Sequence, residues 1–198
     1  LALDTCRRYT EEMAKHSVKA LEMSIKSLSQ YNSADAEEIR ELEDKADHYE
    51  DIIGNYLVKL SAHHPSDSES AEAARLLRLI GDFERISDHA VNILESAEEL
   101  REKEISFTDV ARNELEALKG AVIEISSLAL NAFLTKDVNA AFDVEPLEEI
   151  IDRLKEKMRA NHIARLQQGN CGIEVGFVWN DLITNMERIS DHCSNISG

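Results

Sequence analysis

Apolar residues recur at intervals of three and four along nearly the whole chain, the spacing that lines them up on one stripe of an α-helix. From Asp4 to Gln30 the stripe is Met13, Val18, Leu21, Ile25 and Leu28, which predicts a first helix. Asn32-Ser33 interrupts it, and Ser33 is placed to cap the helix that follows. That second helix is expected over about 34–62, with Ile39, Leu42, Ala46, Tyr49, Ile53, Tyr56 and Leu60 as its seam. His63-His64-Pro65-Ser66 carries turn chemistry, and Ser66 or Asp67 is the next cap. A third helix is expected over about 67–103, with the seam Leu76, Leu79, Phe83, Ile86, Ala90, Ile93 and Ala97.

The pattern then starts again. Glu84-Arg85-Ile86-Ser87-Asp88-His89 returns unchanged as Glu187-Arg188-Ile189-Ser190-Asp191-His192. Around it, Leu79-Ile80 answers Leu182-Ile183, and Asn92-Ile93 answers Asn195-Ile196. This is an internal duplication. A shift of 105 sets Asp109 on Asp4, Ile123 on Val18, Phe133 on Leu28, Leu147-Glu148-Glu149 on Leu42-Glu43-Asp44, and Asp152 on Asp47. By the last helix the shift is 103, because the turn at 168–172 is two residues shorter than its counterpart. Ser106-x-x-Asp109 resembles a capping box that opens the second half. Pro146 stands where Glu41 stands in the first half and predicts a kink or restart of the fifth helix.

The fold class is therefore all-α: two tandem three-helix bundles, 1–105 and 106–198, packed side by side as a six-helix array. The alternative arrangement has all six helices around one common core. Nothing rich in Gly, Ser or Pro joins the halves, so they are not expected to swing freely.

Charge narrows the function. The net charge is −17, from 22 basic and 39 acidic residues, and a surface this acidic repels phosphate backbones and anionic lipid. It suits cations or a basic partner. Cys6, Cys171 and Cys193 form no Cys-x-x-Cys pair, which fits a reducing compartment without a disulfide framework. The longest apolar run, Ala121 to Leu134, contains Glu124 and falls short of the roughly 20 residues of a spanning helix, so no membrane insertion is expected. A chain that starts at Leu1 and stops just after the second motif is expected to be a piece of something longer.

Acid spacing supplies the candidate chemistry. Glu-x-x-x-Asp occurs as Glu43/Asp47, Glu84/Asp88, Glu148/Asp152 and Glu187/Asp191. Residues four apart share a helix face, with Cβ atoms about 5–6 Å apart, so each pair can reach one cation. Asp47 lies 16 residues before His63 and Glu84 lies 17 after Asp67. In an antiparallel hairpin both pairs then sit roughly 25–30 Å from the turn, and the second half repeats the arrangement. Each motif follows a core residue directly (Leu42, Phe83, Leu147 or Met186), so the acids flank the core at the edge of a two-helix interface. Four carboxylates there must bind a cation, take up protons or splay into water. The plainer reading makes them solvated charge on an acidic helix, as Asp44 and Asp51 are expected to be. His89 and His192 point away from the acids and are expected at surface or inter-helix contacts; His63 and His64 belong to the turn.

Enzyme signatures are missing from the sequence. It has no Glu-x-x-His of a di-iron bundle, no His-Glu-x-x-His, no Walker lysine loop and no Gly-x-Ser-x-Gly. Cys193 lies on the sixth seam, as a core residue, and Cys171 lies in a turn with no paired base identifiable.

Two three-helix repeats with paired Glu-x-x-x-Asp motifs resemble the PhoU family of phosphate-uptake regulators over essentially the whole chain. Gln167-Gln168-Gly169-Asn170-Cys171-Gly172, Asp181-Leu182-Ile183-Thr184-Asn185 and 186–196 are similar to the PhoU-like domain at the C-terminus of bacterial sodium/phosphate cotransporter proteins. The resemblance implies a non-enzymatic regulatory domain, cytoplasmic, acting on the membrane transporter part of the same polypeptide, with a homodimer also open. It implies an iron or zinc cluster held by Glu43, Asp47, Glu84, Asp88, Glu148, Asp152, Glu187 and Asp191. Oxygen-only ligation by itself points instead to magnesium, calcium or manganese. The alternative function is a metal-free structural or oligomerisation bundle; a carboxylate-bridged oxidase or hydrolase lacks a recognisable substrate pocket.

Overall fold

A computed structural model describes residues 2–63 and 65–198, so Leu1, and His64 of the expected turn at 63–66, lie outside the described residues. Six helices account for nearly all of them: α1 (Ala2–Ser27), α2 (Ser33–Ser61), α3 (Asp67–Glu102), α4 (Asp109–Thr135), α5 (Val138–Gln167) and α6 (Ile173–Ser197). Their starts are set by side chains that accept the free N–H groups of the first turn. Ser66 and Glu69 complete a capping box at α3. At α2 the cap is Asn32, whose carboxamide accepts the Asp35 N–H at 2.7 Å, and Ser33 is already helical. At α4 the cap is Thr108, accepting from the Ala111 N–H at 3.2 Å, not Ser106. Adjacent residues of one capping chemistry make such slips of one or two positions easy.

The seams bury as the spacing predicts along α3, where Leu76, Leu79, Phe83, Ile86, Ala90, Ile93 and Ala97 are all in the core. On α2 the seam leaves the expected track after Ile53. Leu57 is fully buried while Tyr56 is 49% exposed. A four-residue step keeps the stripe facing inward, and it leaves the Tyr56 hydroxyl in water instead of unpaired in the core.

Pro146 neither breaks nor restarts α5, which is continuous through it. The carbonyl that loses its partner belongs to Phe142, an exposed residue, so water can take the place of the missing N–H. α4 departs from expectation in the other direction. Its 27 residues are long and apolar enough to cross a membrane, with a mean hydropathy of 1.4 over the best window. Here it is a core helix: Leu115, Leu118, Val122, Ile125, Ala129 and Phe133 are buried against its neighbours.

α1, α2 and α3 pack on one another, and so do α4, α5 and α6. The two trios meet along α3 against α6, and α1 against α4. The apolar interior runs across that seam as one cluster, with the Phe83 and Phe133 rings 5.3 Å apart. Two repeats and a shared core are thus both present. What this arrangement positions is the outer edge of each antiparallel pair, α2–α3 and α5–α6.

Candidate metal centre

On the α2–α3 edge, the expected pairs come together. Glu43 and Asp47 of α2 face Glu84 and Asp88 of α3 at one height, and Glu50 joins them from α2. Partial burial, the charges of Asp88 and Asp47, and a hydrogen bond shared with Asp88 push the Glu43 carboxyl up to about 7. Glu84 is pushed up to about 8, by burial, then by its hydrogen bond to Asp88 and the charges of Asp88, Glu50 and Asp47. Glu50 is also raised, by burial and by Asp47, Asp51 and Asp88, with Arg85 pulling the other way. Like charges this close make ionisation costly until something positive arrives. Glu50 was missed at the sequence level. Its signal was present: it lies seven residues after Glu43 and three after Asp47, on the same helix face.

The α5–α6 edge differs. One oxygen each from Glu148, Asp152 and Asp191 lie within 4.8 Å of one another, and among the described residues no other group of three comes this close. Glu148 is pushed up to about 7 by burial and by its hydrogen bonds and charge contacts with Asp152 and Asp191. Glu187 stands apart. Its Oε1 lies 3.6 Å from Lys155 Nζ, with both side chains mostly covered. Burial and Asp191 raise its carboxyl, and Lys155 opposes them. Lys155 occupies, under the 105-residue shift, the position of Glu50. The first edge therefore carries five acids, and the second carries four with a lysine among them.

The two histidines of the repeated motif sit between the repeats and not at either edge. His89 is buried, and its Nδ1–H donates to Asn185 Oδ1 of α6 at 2.8 Å. His192 Nδ1 lies 3.0 Å from Asp82 Oδ1 of α3. The rings face each other at 5.7 Å. Burial holds His89 below its ordinary value, which favours the neutral imidazole. The expected inter-helix role is borne out for both.

The donor set is all carboxylate oxygen, partly open to water, on two facing helices. That chemistry fits hard divalent cations, and zinc and iron also accept carboxylate ligands. The raised carboxyls of Glu43, Glu84 and Glu148 fit a site that exchanges protons for cations.

Comparison with known proteins bears on the whole chain. The PhoU domain model matches twice, over residues 10–97 and 115–198. A phosphate-specific transport system accessory protein PhoU homolog 1 of Thermotoga maritima is 27% identical over 179 residues, covering 90% of this chain and 76% of that protein. A PhoU homolog of the same description from Borreliella burgdorferi is 24% identical, covering 91% and 79%. The crystal structure of PhoU from Pseudomonas aeruginosa superposes with a TM-score of 0.91 at 23% identity, covering 99% of this chain and 93% of that one. The phosphate transport system regulatory protein PhoU from Streptococcus pneumoniae follows at 0.84 and 18%, covering 98% and 91%. With both halves matched and the six-helix fold shared, the chain belongs to the PhoU domain family.

Proposed function

We propose that this chain is a non-enzymatic regulator of phosphate transport that holds metal on its two acidic edges. The relatives named above are accessory and regulatory proteins of phosphate transport, which supports the role. The observation that carries the metal reading is the α2–α3 edge, where five acids from two helices face one another and, with burial, hold Glu84 up at about 8. Glu43, Asp47, Glu84 and Asp88, with Glu50, would hold one set of ions; Glu148, Asp152, Asp191 and Glu187 would hold the other. A multivalent cation at each edge supplies positive charge that joins two helices through their carboxylates. Each edge then favours one spacing of its helix pair, and a partner that prefers a different spacing feels the difference. The motifs at 167–172 and 181–196 support a finer assignment: a cytoplasmic domain that acts on the transporter portion of the same polypeptide.

Metal analysis of the purified protein by plasma mass spectrometry, beside a Glu84→Gln/Glu187→Gln variant, tests the reading. Stoichiometric iron or zinc in the parent, lost in the variant, is the expected result. Magnesium or calcium uptake alone would favour the hard-cation version. A parent that takes up no metal on reconstitution, and that melts at the same temperature with and without chelator, leaves the bundle as a structural module.

A further inference from the structure

The linker between the repeats closes over a cavity of about 430 Å³ that the acidic edges do not reach. Its walls come from both repeats: the end of α1 and the 27–31 turn, the end of α3, the linker itself, and the first half of α4. Three cations line it: Arg112 pairs with Asp109 and Lys119 with Glu116, while Arg101 makes no such pair among the described residues. In a chain of net charge −17, a cavity with one cation to spare runs against the composition.

Lys119 is the informative residue. It is only 7% exposed, and lysine is almost never buried this far without reason. Its ammonium meets Glu116 at 2.9 Å, but Glu116 is itself mostly in water and takes one of three N–H groups. Packing does not require it. The 105-residue shift sets Lys119 on Ala14, a fully buried core residue of the first repeat. Arg101 lies at the other side, its guanidinium 4.7 Å from the centroid of the Tyr31 ring. Among the described residues it has no carboxylate within ion-pair distance. The Tyr31 hydroxyl donates to Glu98 at 2.8 Å, which fixes the ring under the arginine. Leu28, Leu100, Leu115 and Phe107 supply apolar wall between the charges.

We propose that this cavity binds an organic phosphomonoester of about nucleotide size, its phosphate held by Lys119 and its flat body against the apolar wall and the Arg101–Tyr31 stack. A buried ammonium suits a dianionic phosphate, and a guanidinium stacks on flat ring systems. The volume falls within the roughly 300–1,000 Å³ of small-molecule sites, whereas inorganic phosphate alone would leave most of it unfilled. Because both repeats and their linker form the walls, the bound ligand would also brace the repeats against each other. This site is independent of the metal reading.

Isothermal titration and thermal unfolding of the whole chain with adenosine 5′-monophosphate, adenosine and inorganic phosphate test it, in chelator so that metal plays no part. Saturable binding of the monophosphate with a raised unfolding midpoint is expected, with adenosine and inorganic phosphate each weaker by about tenfold or more. Lys119→Met keeps the apolar stem and should lower affinity by about tenfold, as should Arg101→Gln, which changes an exposed side chain and keeps the test valid if the core variant does not fold. No saturation by about 10 mM, equal binding by the variants, or equal affinity for inorganic phosphate would each overturn the proposal.

Discussion

Glu84→Gln removes the carboxyl that the fold pushes furthest from its ordinary value, and the consequence depends on pH in a way that can be worked out. Glu84 rises from 4.5 to about 8 on folding. An acid raised by folding favours the folded state below its unfolded value and loses that contribution as pH climbs through its folded value. The metal-free protein should therefore weaken between about pH 5 and pH 8. At ~1.4 kcal/mol per pH unit the shift sets a ceiling of ~5 kcal/mol. Glu84 lies at a partly open edge, and solvent screening brings the usable part down to ~1–2 kcal/mol. Glutamine keeps the shape and carries no charge, so the variant should escape this loss. With 2–4 °C per kcal/mol typical for a chain of this size, the metal-free variant should melt about 3–6 °C above the parent near pH 8.5 and within about 1 °C of it near pH 5. Scanning fluorimetry in chelator at both pH values reads this directly. In protein reconstituted with metal the sign should reverse if Glu84 is the ligand proposed above. A metal-free variant that melts no higher than the parent at pH 8.5, or that gains equally at pH 5, would refute the electrostatic account of the edge.

Lys155→Glu restores at the second edge the acid that Glu50 provides at the first; metal content should rise, and the metal-free protein should melt lower at pH 8 by a few degrees. Asn185→Ala removes the acceptor used by His89 and by Asn92, and urea unfolding should show a loss of about 1–2 kcal/mol. Phe83→Ala empties the ring contact that joins the repeats and should cost about 3–5 kcal/mol in the same assay. Lys136, which closes α4 at a φ of 56°, should gain about 0.5–1 kcal/mol when replaced by glycine.

Periodicity made the six helices legible, because a three- and four-residue stripe is a local signal that needs no knowledge of the neighbours. Matching heights of the acidic pairs were legible too, since rise per residue and hairpin pairing fix them together. The departures have common causes. Ser33 and Ser106 carry the same capping chemistry as Asn32 and Thr108, one and two positions away, so residue type alone does not fix the cap. Tyr56 and Leu57 differ by a step that only the packed interface resolves. Pro146 was expected to break α5, yet the affected carbonyl faces water, a fact of tertiary exposure. Glu50 could have been found from its face, and Lys155 from the repeat alignment, had all positions of that face been compared. The cavity at Lys119 could not, because its walls bring the 27–31 turn against residues 97–119, far away in the chain.

The α3–α6 contact has the form of a two-fold dimer interface: His89 reaches across to 185, and His192 reaches back to 82. In a true homodimer the two partners would have to be the same residue. Here one is an asparagine and the other an aspartate, just as Glu50 in one half answers Lys155 in the other. Covalent fusion lifts the requirement that both halves carry the same mutation. If the edges bind cations as proposed, their unequal charge gives them unequal affinities, and they would fill over separate ranges of cation concentration. Between those ranges the molecule would pass through a half-loaded form, a third state that a symmetric pair of equal, independent sites populates only statistically.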